Sequence, residues 1–137
     1  MPFVVDSSVT LAWCFREELT PDVVRIQTML VDDDAIVPAN WPLEVTNALM
    51  LGERCGRITK IEKERFLGYL QSLPLQIDSE TADQAFGEIA ALATVHQLTT
   101  YDAAYLELAH RLALPMATLD QRLRAAASVL GIPLLLS

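Results

Sequence analysis

Five short apolar runs punctuate the chain, at Phe3–Val5, Ala35–Val37, Leu75–Ile77, 116–119 and 132–136, each too short for a helix. Between them apolar residues recur at helical spacing: Val23, Ile26 and Leu30; Val45, Ala48 and Leu49; Phe66, Leu67, Leu70 and Leu73; Phe86, Ile89, Ala90 and Ala93; Leu123, Ala126, Ala127 and Leu130. Strands that are almost wholly apolar are buried on both faces, and helices alternating with them act as crossovers that cover a parallel sheet on both sides. The predicted class is α/β, a three-layer α/β/α sandwich with a central parallel sheet. With 137 residues and no repeat, low-complexity tract or linker, a single domain over 1–137 is expected. The run Asp32, Asp33, Asp34 interrupts the pattern for only about one turn.

No apolar run approaches the roughly 18 residues of a bilayer span, and Met1-Pro2-Phe3 lacks a basic start before an apolar stretch. No membrane role and a cytoplasmic location are expected. Cys14 and Cys55 stand alone, without metal-ligand spacing, and read as buried thiols. The net charge of −8 argues against a surface that binds nucleic acid all over, leaving only a local site for it. Hydrophobic residues make up 52%, more than so small an interior accommodates, so some apolar faces should be covered by a subunit or partner helix. The segments near 9–15 and 45–51 are the candidates.

The strand-to-helix junctions carry the chemistry. Asp6 follows the first strand, Glu44 lies in a helix opened by Asn40-Trp41-Pro42, Asp102 lies in one opened by Thr99-Thr100, and Asp120 follows the fourth strand. In a doubly covered parallel sheet such junctions line the carboxyl edge, where these folds bind ligands. Any one of these acids alone is accounted for as a helix cap. Four together crowd like charges and cost stability unless a cation neutralises them. All-oxygen donors suit Mg²⁺ or Mn²⁺, whose bound water becomes a nucleophile without a histidine base.

VVDSSV at 4–9, P-x-E-x-x-N-A-L at 42–49, LTTYDAAYLELA at 98–109 and ATLDQRL at 117–123 resemble the four signature segments of PIN-domain ribonucleases, above all the VapC toxins of VapBC toxin-antitoxin modules. The likeness runs from residue 3 to about 136 in the family's order and spacing. It implies that Asp6, Glu44, Asp102 and Asp120 are the catalytic acids that bind Mg²⁺ or Mn²⁺ and orient the attacking water. It also implies that Ser8, Asn47, Thr99 and Thr118 support those carboxylates. The implied activity is metal-dependent endonucleolytic cleavage of RNA, leaving a 5′-phosphate and a 3′-hydroxyl, with tRNA or an rRNA loop as the usual target. The implied partners are a VapB-like antitoxin and a second copy of the chain. A stand-alone PIN nuclease of RNA maturation shares these features and is the alternative.

Arg122 and Arg124, just past Asp120, are the candidate RNA contacts, with helix capping or a dimer contact as the plain explanation. The segment 53–65 is the most basic stretch, and a solvated helical elbow explains it as well as RNA does. Trp13, Phe15, Trp41, Tyr101 and Tyr105 could stack on bases but read mostly as core, and His96 and His110 as surface. Glycines only at 52, 56, 68, 87 and 131 exclude a P-loop, a dinucleotide fingerprint and a G-x-S-x-G elbow around Ser8. A phospho-receiver domain would need an acidic pair after the first strand and a late lysine, whereas both lysines, Lys60 and Lys63, lie mid-chain. If four of the eighteen acids form one metal site, RNA binding should depend on divalent metal.

Overall fold

The computed structural model describes residues 1–137. The order is β1 (Phe3–Val5), α1 (Ser7–Ala12), a 3-10 turn (Arg16–Glu18), α2 (Pro21–Met29), β2 (Ala35–Val37), α3 (Trp41–Arg54), α4 (Lys60–Ser72) and β3 (Leu75–Ile77). There follow α5 (Thr81–Gln84), a π-helical turn (Ala85–Ile89), α6 (Ala90–His96), α7 (Thr100–Leu112), β4 (Met116–Ala117) and α8 (Gln121–Val129). The four strands form one parallel sheet in the order β3-β2-β1-β4, with Phe3 opposite Ala35, Ala35 opposite Leu75 and Val4 opposite Met116. The α/β sandwich expected from the alternating runs is the fold observed.

Strand burial follows position in the sheet. Central β1 is wholly buried, whereas edge strand β3 exposes Gln76 and Ile77. Two strand expectations need correction. β4 spans two residues, because the Leu119 and Asp120 amides donate to the Ser8 and Thr118 hydroxyls instead of a ladder. The run 132–136 makes only one bridge, Leu134 to Met116, because Pro133 has no N–H to extend the pairing.

The buried apolar side chains form one cluster of 33 residues. Helix α7 lies deepest: every residue from Ala103 to Ala109 is buried, so it is packed on all sides rather than along one stripe. The expected helical face at 86–93 is broken by the π-helical turn, whose extra residue rotates Phe86 fully into solvent while Ile89 and Leu92 stay buried. The segment 9–15 is not an exposed face either. Helix α1 ends at Ala12, and Val9, Ala12, Trp13 and Phe15 are core, with the Trp13 indole donating to the Val23 carbonyl at 3.0 Å. Trp41 and Tyr105 are also buried, whereas Tyr101, in the first turn of α7, is exposed. Cys55 is exposed and Cys14 half-buried, so the thiols are not core groups. His96 is half-buried and His110 exposed. No helix is long and apolar enough to cross a membrane.

Candidate active site

Asp6 leaves the end of β1 and caps α1, its Oδ1 accepting from the Val9 amide at 3.1 Å. Its own amide donates to the Ala117 carbonyl at 3.1 Å, which ties it to β4. Two hydroxyls fix the carboxylate. Ser8 donates to Oδ1 at 2.6 Å while accepting from the Leu119 amide at 3.0 Å; Thr118 donates to Oδ2 while accepting from the Asp120 amide at 3.0 Å. Each hydroxyl therefore spends its one proton on Asp6 and locks the β4–α8 connection against it. Burial pushes the Asp6 carboxyl up to about 6, against the Ser8, Thr118 and Val9 hydrogen bonds and with help from the charge of Asp102.

Asp102 lies in the first turn of α7, where its amide donates to the capping Thr99 hydroxyl at 3.1 Å. Its carboxyl is also raised, first by burial and then by the charges of Asp120 and Glu44, against the Thr99 hydrogen bond. Asp120 caps α8, accepting from the Leu123 amide at 2.9 Å. Asp6, Asp102 and Asp120 line one cavity of about 510 Å³ with Ser7, Ser8 and Arg57. Glu44 does not line it. Its Oε1 accepts from Ser7 at 3.2 Å and from Tyr105 at 3.0 Å, and its Oε2 from Asn40, which holds it beside the cavity behind Ser7. Burial and the Glu44 and Asp6 charges keep the Tyr105 phenol neutral, so it remains a donor.

None of these four acids has a Lys or Arg partner, although the molecule pairs acids elsewhere. Asp78, past the end of β3, receives Arg111 at 2.7 Å. The unpaired set is made of oxygen donors alone, which fits a hard divalent cation that keeps most of its waters and takes one or two carboxylates. No three acidic side chains converge into a ready-made cage.

Several expected supports look different in place. Ser8 and Thr118 hold Asp6 directly, and Thr99 positions Asp102 through the helix cap. Asn47 is exposed on α3 and hydrogen-bonds none of the four carboxylates. Glu44 is held instead by Asn40, one turn before it, and by Ser7 and Tyr105. The i, i+4 spacing of Asn40 to Glu44 and the i, i+3 spacing of Asp102 to Tyr105 were the available signals. Arg122 lines a separate cavity with His96 and Gln97, and Arg124 donates to the Thr118 carbonyl at 3.2 Å. Neither lines the acidic cavity; Arg57, from the basic stretch 53–65, does. Lys63 pairs with Glu53, away from the strand ends, so the receiver arrangement is absent.

Residues 3–129 match the family model of the PIN domain. The chain is 30% identical over 127 residues to Ribonuclease VapC3 of Pyrobaculum aerophilum, covering 90% of this chain and 92% of that protein. Among solved structures it is similar to PAE2754 from Pyrobaculum aerophilum, with TM-score 0.68, 21% identity and coverage of 98% of this chain and 90% of that one. VapBC2 from Rickettsia felis, solved bound to a DNA fragment from its promoter, gives 0.69 and 11% with coverage of 98% and 97%. FitAcB from Neisseria gonorrhoeae gives 0.63 and 17% with coverage of 98% and 96%.

Proposed function

The chain belongs to the PIN-domain family, and on that premise we propose that it is a VapC-type ribonuclease toxin, an endonuclease that cuts RNA with Mg²⁺ or Mn²⁺. The observation that carries this reading is the set of helix-start acids left without a basic partner: Asp6, Asp102 and Asp120 on one cavity, with Glu44 beside it. Asp6, Asp102 and Asp120 would hold the cation, with Glu44 facing it from behind Ser7. Such a cation supplies a water of lowered pKa and neutralises charge on the phosphoryl oxygens.

The chain's own groups do the positioning. Ser8 and Thr118 keep both Asp6 oxygens oriented, and the neutral Tyr105 and Asn40 hold Glu44 in one pose. Attack by water leaves a 5′-phosphate and a 3′-hydroxyl and needs no 2′-hydroxyl. A structured RNA, tRNA or an rRNA loop, is the substrate class in this reading. A VapB-like antitoxin and a second copy of the chain are the protein partners. The exposed Leu43, Met50 and Leu51 of α3, and the apolar groove of about 460 Å³ that Trp41, Val45, Leu67 and Leu70 line between α3 and α4, support protein partners.

The test is incubation of total RNA with the native chain and with Asp6→Asn and Asp102→Asn, in Mg²⁺, in Mn²⁺ and in chelator. Discrete cleavage by the native chain in metal alone, reduced at least about 100-fold in both variants, is expected. Cleavage that persists in chelator, or is equal in all three proteins, sinks the reading.

A further inference from the structure

The acidic cavity is a poor place for RNA unless something on its wall attracts a phosphate, and Arg57 is the one cationic side chain that lines it. Gly56, at φ +77°, turns the chain back after α3, and the Arg57 amide returns to the Gly52 carbonyl at 2.8 Å. The guanidinium then lies over the Phe15 ring, 3.8 Å from its centroid. That platform is fixed from below. Phe15 is buried and packs against α3 where Gly52 leaves room, since a Cβ at 52 would stand 3.0 Å from the ring.

The edge of the guanidinium is occupied by two carboxylates of the 3-10 turn. Nε donates to Glu17 at 3.1 Å and Nη2 to Glu18 at 3.2 Å, and Glu18 itself lines the cavity. Carboxylate and phosphate present the same paired oxygens to a guanidinium fork, so the one is a geometric substitute for the other. Glu17 and Glu18 are exposed, at 62% and 43%, and exposed pairs are held weakly enough to exchange.

We infer that Arg57 positions an RNA backbone phosphate at the wall of the acidic cavity, and that Glu17 and Glu18 occupy its guanidinium until RNA displaces them. The inference rests on the nuclease reading for its substrate class, but Arg57 acts on binding and not on bond cleavage.

The test uses the full chain and a fluorescein-labelled hairpin RNA. Steady-state cleavage in Mg²⁺ gives KM and kcat; anisotropy at several salt concentrations, in the Asp102→Asn background, gives affinity without cutting. Arg57→Ala should raise KM and weaken binding about tenfold, leave kcat within about twofold, and make the salt dependence shallower by about one phosphate contact. Arg57→Lys should fall between. The Glu17→Gln/Glu18→Gln double variant should move the other way, binding about threefold tighter. A purely structural ion pair predicts the same sign for both variants, since each breaks the same contact; thermal midpoints record that loss separately. Unchanged affinity and salt slope in Arg57→Ala, or equal weakening in both variants, overturns the assignment while cleavage by the native chain stands. Arg57-dependent binding without cleavage supports the assignment and removes the nuclease reading. No RNA binding by any of the proteins removes both.

Discussion

Asp6 is a carboxylate kept where water cannot solvate it, and the hydrogen bonds of Ser8, Thr118 and Val9 only partly offset that cost. The folded chain retains its proton up to about pH 6, whereas the unfolded chain releases it near 3.8. Between those values the native state binds more protons, so metal-free stability falls as pH rises, and the loss is complete above about 6. Asp6→Asn removes the charge. In chelator at pH 7 it should therefore unfold at higher urea than the native chain, by about 2 kcal/mol, with the gap closing as pH falls towards 4. Added Mg²⁺ should raise the native midpoint far more than that of the variant. A variant no more stable than the native chain at pH 7 would mean that Asp6 carries no buried charge. Asp6, Thr118 and Asp120 were legible because they follow strand ends, Ser8 because it lies in the helix that Asp6 caps, and Glu44 and Asp102 because each lies in the first turn of a helix. That Asn47 is exposed and bonds none of the four carboxylates was not legible, because a helix position alone does not say which way a side chain faces.

At the scale of elements, the contrast between Asp78 and the active-site acids shows how a strand-end carboxylate is made structural. Arg111 on α7 donates to Glu107 one turn back at 2.8 Å, to Asp78 after β3 at 2.7 Å and to Glu80 at 3.0 Å, joining the deepest helix to the sheet edge. Burial works against the Asp78 charge, but hydrogen bonds from Arg111 and Thr81 and the guanidinium charge outweigh it and hold its carboxyl below the ordinary range. That contribution is present above the unfolded value near 3.8 and is lost as pH falls through the lower folded value. Arg111→Met leaves Glu107 and Asp78 buried without a counter-charge. A loss of about 3–5 kcal/mol at pH 7 is expected, with little of the acid-side decline that the native chain shows below pH 4. Urea unfolding at pH 7 and pH 3.5 checks both parts, and equal losses at the two pH values would count against this account. Strands β1 to β3 and helices α2, α3, α4 and α8 were readable because apolar period reports burial directly, whereas α7, buried all round, was readable only from its Thr99-Thr100 opening. The π-helical turn was not, since Phe86 fits the helical period as well as its buried neighbours do.

For the whole molecule, the charge of −8 and the apolar excess acquire separate explanations. Four acids are left unpaired around one cavity, and the apolar surplus emerges at Leu43, Met50, Leu51, Ile77 and Phe86, on elements that the 15.2 kDa chain leaves uncovered. Light scattering behind a sizing column should give a mass of about twice that of the chain. A mass of one chain at micromolar concentration would leave those faces to another partner. What the sequence determined by itself is whatever depends on near neighbours: the α/β class, strands β1 to β3, the acids at the helix starts and the local bonds of Ser8 to Asp6 and Thr99 to the Asp102 amide. Only the tertiary structure decided which charges meet. Arg111 reaches Asp78 across 33 residues of chain, Arg57 reaches Glu17 across 40, and Arg122 lines another cavity while Arg124 bonds the Thr118 carbonyl, instead of pairing with the acid they follow. Coulomb energy depends on distance in space and on burial, and neither is encoded in the local spacing of residues along the chain.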